Sequence, residues 1–255
     1  QRPAIARGHR LVHFDDALVE LDAANQRRFV DRRSPDIGRP TDTDDAEPQL
    51  LWTHTWSDDV EDIVISHDGM YVAAYAGNNY AKMFNRSSSA PIWLIDGTFH
   101  SMDISADGQY IAVGTINSIN YPTVRLYHRE STTPLWEYQG YGSTSWGMGA
   151  VGISADGNYI VGLATYHDCC STTHIYVFDK QGKRIYETSV DTDNSDKSSV
   201  SISDNGSHIV ATDRYNTRLY KQIIDGNGDK TYQYVWTSSQ CWCHHADTDI
   251  SSDGQ

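Results

Sequence analysis

Four cysteines and four histidines crowd into two short stretches of the chain, and sulfur redox chemistry or soft-metal binding is what such a combination can do. Cys169-Cys170 stands with His167 and His174, and Cys241-Trp242-Cys243 stands with His244 and His245. Thiolate and imidazole ligands select zinc or copper. The spacing is not that of a standard site: Cys241 and Cys243 are one residue too close for a zinc knuckle, and no Cys-x-x-Cys-His haem attachment sequence occurs. Disulfide bonding is therefore the leading expectation. Adjacent cysteines are hard to crosslink to each other without backbone strain, so pairing each with Cys241 or Cys243 is the more comfortable geometry, with the connectivity open.

A second candidate is a hard-cation loop. Asp225-Gly226-Asn227-Gly228-Asp229 places oxygen-bearing side chains at alternate positions, as calcium loops do, so Asp225, Asn227 and Asp229 are candidate calcium ligands. The match is incomplete, because Lys230 stands where such a loop needs glycine and Trp236 where it needs a bidentate glutamate. A plain hairpin turn accounts for the same residues. Asp191, Asp193 and Asp196 pose a similar choice between an ion and a solvated loop. No cofactor is the first expectation, and calcium is the alternative. The Gly-x-Ser-x-Gly elbow and the phosphate-cradling Gly-x-x-x-x-Gly-Lys loop are both missing from the sequence, and no catalytic residue is assigned.

Asn85-Arg86-Ser87 and Asn205-Gly206-Ser207 match the glycosylation acceptor pattern, making Asn85 and Asn205 candidate glycan sites. With the paired cysteines they point to an extracellular or cell-surface protein.

The elements that must position these residues are set by a repeat. Ile65-Ser66-His67-Asp68-Gly69-Met70-Tyr71 is echoed by Ile104-Ser105-Ala106-Asp107-Gly108-Gln109-Tyr110 and by Ile153-Ser154-Ala155-Asp156-Gly157-Asn158-Tyr159. A fourth copy, Ile202-Ser203-Asp204-Asn205-Gly206-Ser207-His208, and a fifth starting at Asp249-Ile250-Ser251-Ser252-Asp253-Gly254 follow. The turn residues Asp68, Asp107, Asp156, Asn205 and Asp253 lie 39, 49, 49 and 48 residues apart, close to the length of a four-stranded propeller blade. Asp-Gly and Asn-Gly supply the positive φ angles of a tight hairpin. The run after each turn, such as Tyr110-Ile111-Ala112-Val113-Gly114, reads as a buried inner strand. Third strands are expected at Ala81–Phe84, Val124–Tyr127, Ile175–Phe178 and Thr217–Tyr220, alternating with period two. Fourth strands end on an aromatic, at Trp93, Trp136, Tyr186 and Trp236, with Trp52 closing an earlier unit.

The Ser-x-Asp-Gly-x-Tyr turn and the closing Pro-x-Trp strand resemble surface propellers of the WD-repeat and pyrroloquinoline-quinone-like superfamily over residues 50 to 255. That resemblance implies an all-β fold of four-stranded blades, about five visible here and seven or eight in a full ring. In such a ring the loops bearing Cys169-Cys170 and Cys241-Cys243 share one rim. The vicinal pair is similar to the adjacent-cysteine disulfide of quinoprotein alcohol dehydrogenases, whose glycine- and tryptophan-rich blade motif is absent here. The last unit stops after its first strand, which is expected of an incomplete C-terminus.

Residues 1–49 lack the repeat and carry eight arginines and no lysine. They are expected to form an arm, partly helical or extended, the helical reading running from Asp15-Asp16 through Leu18, Leu21, Ala24 and Phe29 to Ser34-Pro35, followed by an acidic linker.

A formal net charge of -14 disfavours a nucleic-acid partner, which needs clustered cations. The chain has no apolar run long enough for a transmembrane helix. The expectation is a non-enzymatic propeller that binds proteins or glycans, or assembles with copies of itself into a layer or filament, through loops such as Tyr141–Trp146. The alternative is a quinoprotein-like or metal-dependent redox enzyme on the rim bearing the cysteines, His167 and His244.

Overall fold

The computed structural model of the chain describes residues 12–14, 17–21, 27–31, 49–77, 80–116, 121–140, 148–166, 172–191, 198–212, 216–239 and 248–254. These residues are all strand, turn or irregular backbone, with no helix among them. They form five four-stranded antiparallel sheets, each in simple sequential order. Blade 1 holds β1 (Val12–Phe14), β2 (Ala17–Leu21), β3 (Arg27–Asp31) and β4 (Gln49–His54). Blade 2 holds β5 (Val60–Ile65), β6 (Tyr71–Ala76), β7 (Tyr80–Asn85) and β8 (Pro91–Asp96). Blade 3 holds β9 (Phe99–Ile104), β10 (Tyr110–Ile116), β11 (Pro122–His128) and β12 (Trp136–Gln139). Blade 4 holds β13 (Met148–Ile153), β14 (Tyr159–Tyr166), β15 (Thr172–Asp179) and β16 (Arg184–Asp191). Blade 5 holds β17 (Ser199–Ile202), β18 (His208–Thr212), β19 (Asn216–Ile224) and β20 (Lys230–Ser239). The fold is an all-β propeller.

Blade 1 corrects one expectation. Of the stretch from Asp15 to Phe29, where a helix is one of the two expectations, the described residues are strand, Ala17–Leu21 and the start of Arg27–Asp31, with Val19 opposite Phe29 and Leu18 opposite Val30. Short apolar runs such as Ala17-Leu18-Val19-Glu20-Leu21 fit either period, and pairing with β4 settles the strand.

The core lies between blades. One cluster joins Met83 and Trp93 of blade 2 to Phe99, Ile111 and Tyr127 of blade 3, and equivalent clusters fill the next two seams. Second strands are buried on both faces, as in β6, where Val72 to Ala76 are all buried, which is why they read as continuous apolar runs. In blades 1, 3 and 4 the closing aromatic packs on the third-strand aromatic of the next. Trp52 meets Phe84 at 5.4 Å, Trp136 meets Phe178 at 5.3 Å and Tyr186 meets Tyr220 at 6.0 Å between ring centres. Trp52 and Trp136 also donate from Nε1 to the carbonyls of Arg86 and Lys180, so their polar edge is satisfied inside the seam.

The repeated turn is a small machine for joining blades. Within it, Asp156 Oδ1 accepts from Ser154 Oγ at 2.6 Å and from Asn158 N at 2.9 Å, while Tyr159 N donates to Ser154 Oγ at 3.0 Å. Asp68, Asp107 and Asn205 accept the same pair of bonds in their own turns. Between blades, Ala106 N donates to the carbonyl of Ala155, Ala155 N to that of Asp204 and Asp204 N to that of Ser252. The tyrosine two residues after each turn glycine lies over the glycine of the following blade. A Cβ on Gly206 would sit 2.2 Å from the Tyr159 ring, and at φ 70 that backbone already disfavours any side chain. A cation from the following blade caps the ring: Arg129 stands 4.4 Å from the centre of Tyr71 and Lys180 3.9 Å from that of Tyr110.

Candidate functional site

The inner strands β5, β9, β13 and β17 are edge strands of their sheets and lie side by side. An edge strand leaves backbone N–H and C=O groups unpaired along one side. Here side chains of the preceding blade take up part of that row. Ser101 Oγ accepts from Val151 N at 2.9 Å, and Asp103 Oδ2 accepts from Ile153 N at 2.8 Å while its Oδ1 accepts from Ile104 N. Ser199 Oγ accepts from Thr248 N at 3.1 Å, and Ser201 Oγ donates to Asp249 Oδ1 at 3.4 Å. At the intervening seam the chain uses glycine. A Cβ on Gly152 would crowd Val161 of its own blade at 3.1 Å and make only ordinary contact with Ile202 of β17 at 3.6 Å.

These strands enclose an axial cavity of about 890 Å³, in the range of sites that hold small ligands or inserted side chains. Its wall carries the carboxylates Glu61, Asp62, Asp103 and Asp249, the imidazole of His100, and the hydroxyls of Ser101, Ser199 and Thr248. Burial pushes the Asp103 carboxyl up to about 7; the N–H groups of Ile153 and Ile104 work against that rise, and the charges of Asp62 and Asp249 add to it. Burial alone lowers the His100 pKa, favouring the neutral ring. Tyr75 donates from its hydroxyl to the His100 carbonyl at 2.8 Å, fixing the strand there.

The candidates read from sequence lie elsewhere. Cys169, Cys170, Cys241, Cys243, His167, His244, His245 and the loop Tyr141–Trp146 fall outside the described residues. His174 lies on β15, stacked on Tyr176, with Nδ1 3.6 Å from Glu187 Oε1. Asp225, Asn227 and Asp229 form the β19–β20 turn. There Asp225 Oδ1 accepts from Asn227 N at 2.8 Å and Asp229 N at 2.9 Å, and Asp229 N and C=O flank the hairpin closure. Those two bonds give Asp225 a turn-capping task of its own. Asn85 ends β7 and Asn205 is on a turn, and each Oδ1 accepts the N–H two residues on.

Sequence reasoning missed the axial cavity, although a signal was present. The residue before each repeated isoleucine is Val64, Asp103, Gly152, Ser201 and Asp249 in turn, a position where the repeat changes chemistry while its neighbours hold constant.

No protein-family model matches the chain, and no curated protein does. Among solved structures 1267 chains match, a breadth that marks a common architecture rather than a shared activity. One of them is hydrazine synthase of Kuenenia stuttgartiensis, with a TM-score of 0.59 and 13% identity. The match covers 86% of this chain and spans 63% of that one. At that identity the likeness shows the propeller fold alone.

Proposed function

We propose that this propeller is a non-enzymatic binding protein of the cell exterior that takes a protein or glycan ligand at its axial cavity. The wall of the cavity carries the reading. Ser101, Asp103 and Ser199 already hold backbone N–H groups of the following unit, so they present fixed acceptors that need no ordering when a ligand arrives. A nucleophilic serine needs a base within hydrogen-bond reach. Ser101 accepts from a backbone amide, and Ser199 from a backbone amide and the Thr248 hydroxyl, so both are held at junctions between units.

Placement outside the cell rests on the paired cysteines and on Asn85 and Asn205; kinship with WD-repeat and pyrroloquinoline-quinone-like propellers rests on the turn and the closing aromatic. Calcium at the Asp225 turn is the one cofactor this reading admits. The test is a ligand screen against protein and glycan panels, repeated with Glu61→Trp, which fills the cavity from an exposed position. Loss of binding with an unchanged circular dichroism spectrum is expected, and undiminished binding by the variant refutes the site. Mass spectrometry of the non-reduced protein checks the cysteine linkage and the two asparagines.

Self-assembly is a second reading, favoured by apolar side chains on the outer strands: Leu94 of β8 is 46% exposed and Tyr234 of β20 50%. Sedimentation of the native protein against Leu94→Lys distinguishes it, since assembly through this face weakens in the variant.

A further inference from the structure

The axial cavity is electrostatically one-sided. Glu61, Asp62, Asp103 and Asp249 line it from three separate segments, and neither lysine nor arginine is among its lining residues. Like charges gathered on a partly desolvated wall repel one another more strongly than in water, and an arriving cation relieves them. The carboxylates are not drawn together as a metal site: among the described residues no three His, Cys, Asp or Glu side chains are arranged to hold an ion. Spread acceptors suit an organic cation whose N–H donors point in several directions.

A further feature of the wall, the apolar surface next to His100, points the same way. Tyr75, Met102 and Val151 line the cavity beside it, giving apolar surface of the kind that covers the methylene stem of a long basic side chain.

We propose that the axial cavity captures a lysine or arginine side chain of a partner protein, its head group held between Glu61, Asp62, Asp103 and Asp249. This rests on the reading of the cavity as the binding site. Binding draws the Asp103 carboxyl into its ionised form and releases its proton to solvent. Burial sets the Asp103 response first, and the charges of Asp62 on β5 and Asp249 in segment 248–254 add to it; β13, packed against β9, contributes no titratable side chain.

Calorimetry of the full chain with acetyl-(Gly-Lys)3-amide tests this, with the lysine-acetylated peptide and spermine as comparisons. One site is expected, about tenfold tighter at pH 8 than at pH 6 because only the ionised Asp103 is competent. Glu61→Gln/Asp62→Asn is expected to weaken it at least tenfold, and Glu130→Gln/Asp204→Asn, an equal change in net charge on the exposed surface, to leave it unchanged. Equal loss in both double variants overturns the proposal as general attraction to an acidic protein. Equal binding of the acetylated peptide overturns it, and so does spermine binding where the peptide fails, which reassigns the cavity to a small polyamine. If the peptide fails but Glu61→Trp still abolishes binding of a neutral glycan, this inference falls and the binding-site reading stands. If Glu61→Trp changes no ligand's binding, that reading falls as well.

Discussion

The rim of repeated turns and the wall of the axial cavity are built from the same strands yet obey opposite rules. On the rim, serine, aspartate or asparagine, glycine and an aromatic or histidine recur in unit after unit, because each has a contact to make with its own turn or with the next blade. Two residues before that serine, valine, aspartate, glycine, serine and aspartate succeed one another, and all but the glycine line the cavity. Sameness marks the contacts that every unit makes alike, and variation marks the wall on which the proposed site lies.

The sharpest way to break this contrast is at the rim. Gly206→Ala forces a Cβ into the Tyr159 ring on a backbone of positive φ, and a loss of about 3 kcal/mol is expected in chemical denaturation. Trp136→Ala opens the seam against Phe178 and abandons the bond to the Lys180 carbonyl, with about 2 kcal/mol expected by the same measurement.

Asp103 belongs to both regions, joining two blades and lining the cavity. Its folded pKa lies above the ordinary 3.8, so the folded state holds the proton more tightly than the unfolded one. Its contribution is therefore full below pH 4 and declines as pH rises to about 7. Asp103→Asn sacrifices one of the two acceptors, a loss of about 1 kcal/mol at pH 5. The gap to the native protein is expected to narrow by pH 8, as read from melting curves across that range.

Lys180→Met removes the cation over Tyr110 while keeping the stem, and about 0.5 kcal/mol is expected. Glu61→Gln, on the wall and exposed, is expected to change stability by less than about 0.5 kcal/mol while changing ligand binding. If Glu61→Gln unfolds the protein, or Gly206→Ala does not disturb it, the division between joint and binding surface collapses.

Much of the fold was legible because the rim repeats. The positions of the hairpins, the third strands and the closing aromatics follow from a motif whose physical task is identical in each blade. β12 shows the limit: it starts at Trp136, two residues after Pro134, whereas β8 starts at Pro91 itself. Blade 1 was misread around Leu18 and Leu21 because a short amphipathic run fits two periods, and only pairing with a distant strand chooses between them. The cavity was invisible to motif searching for another reason. Glu61, Asp103 and Asp249 are far apart in sequence and acquire a common purpose only when successive inner strands are set side by side.

The chain of amide-to-carbonyl bonds running from Ala106 to Ala155, Asp204 and Ser252 always points toward the later blade. Each unit thus has a donating side and an accepting side, like a row of identical couplings all facing one way. Order in such a row is a nearest-neighbour property: a unit is held as firmly as its two junctions, and damage to one junction is felt by the adjacent pair before it reaches the rest. Unfolding should accordingly proceed blade by blade from a broken coupling outward, so hydrogen exchange in a Gly206 variant would rise first in blades 4 and 5.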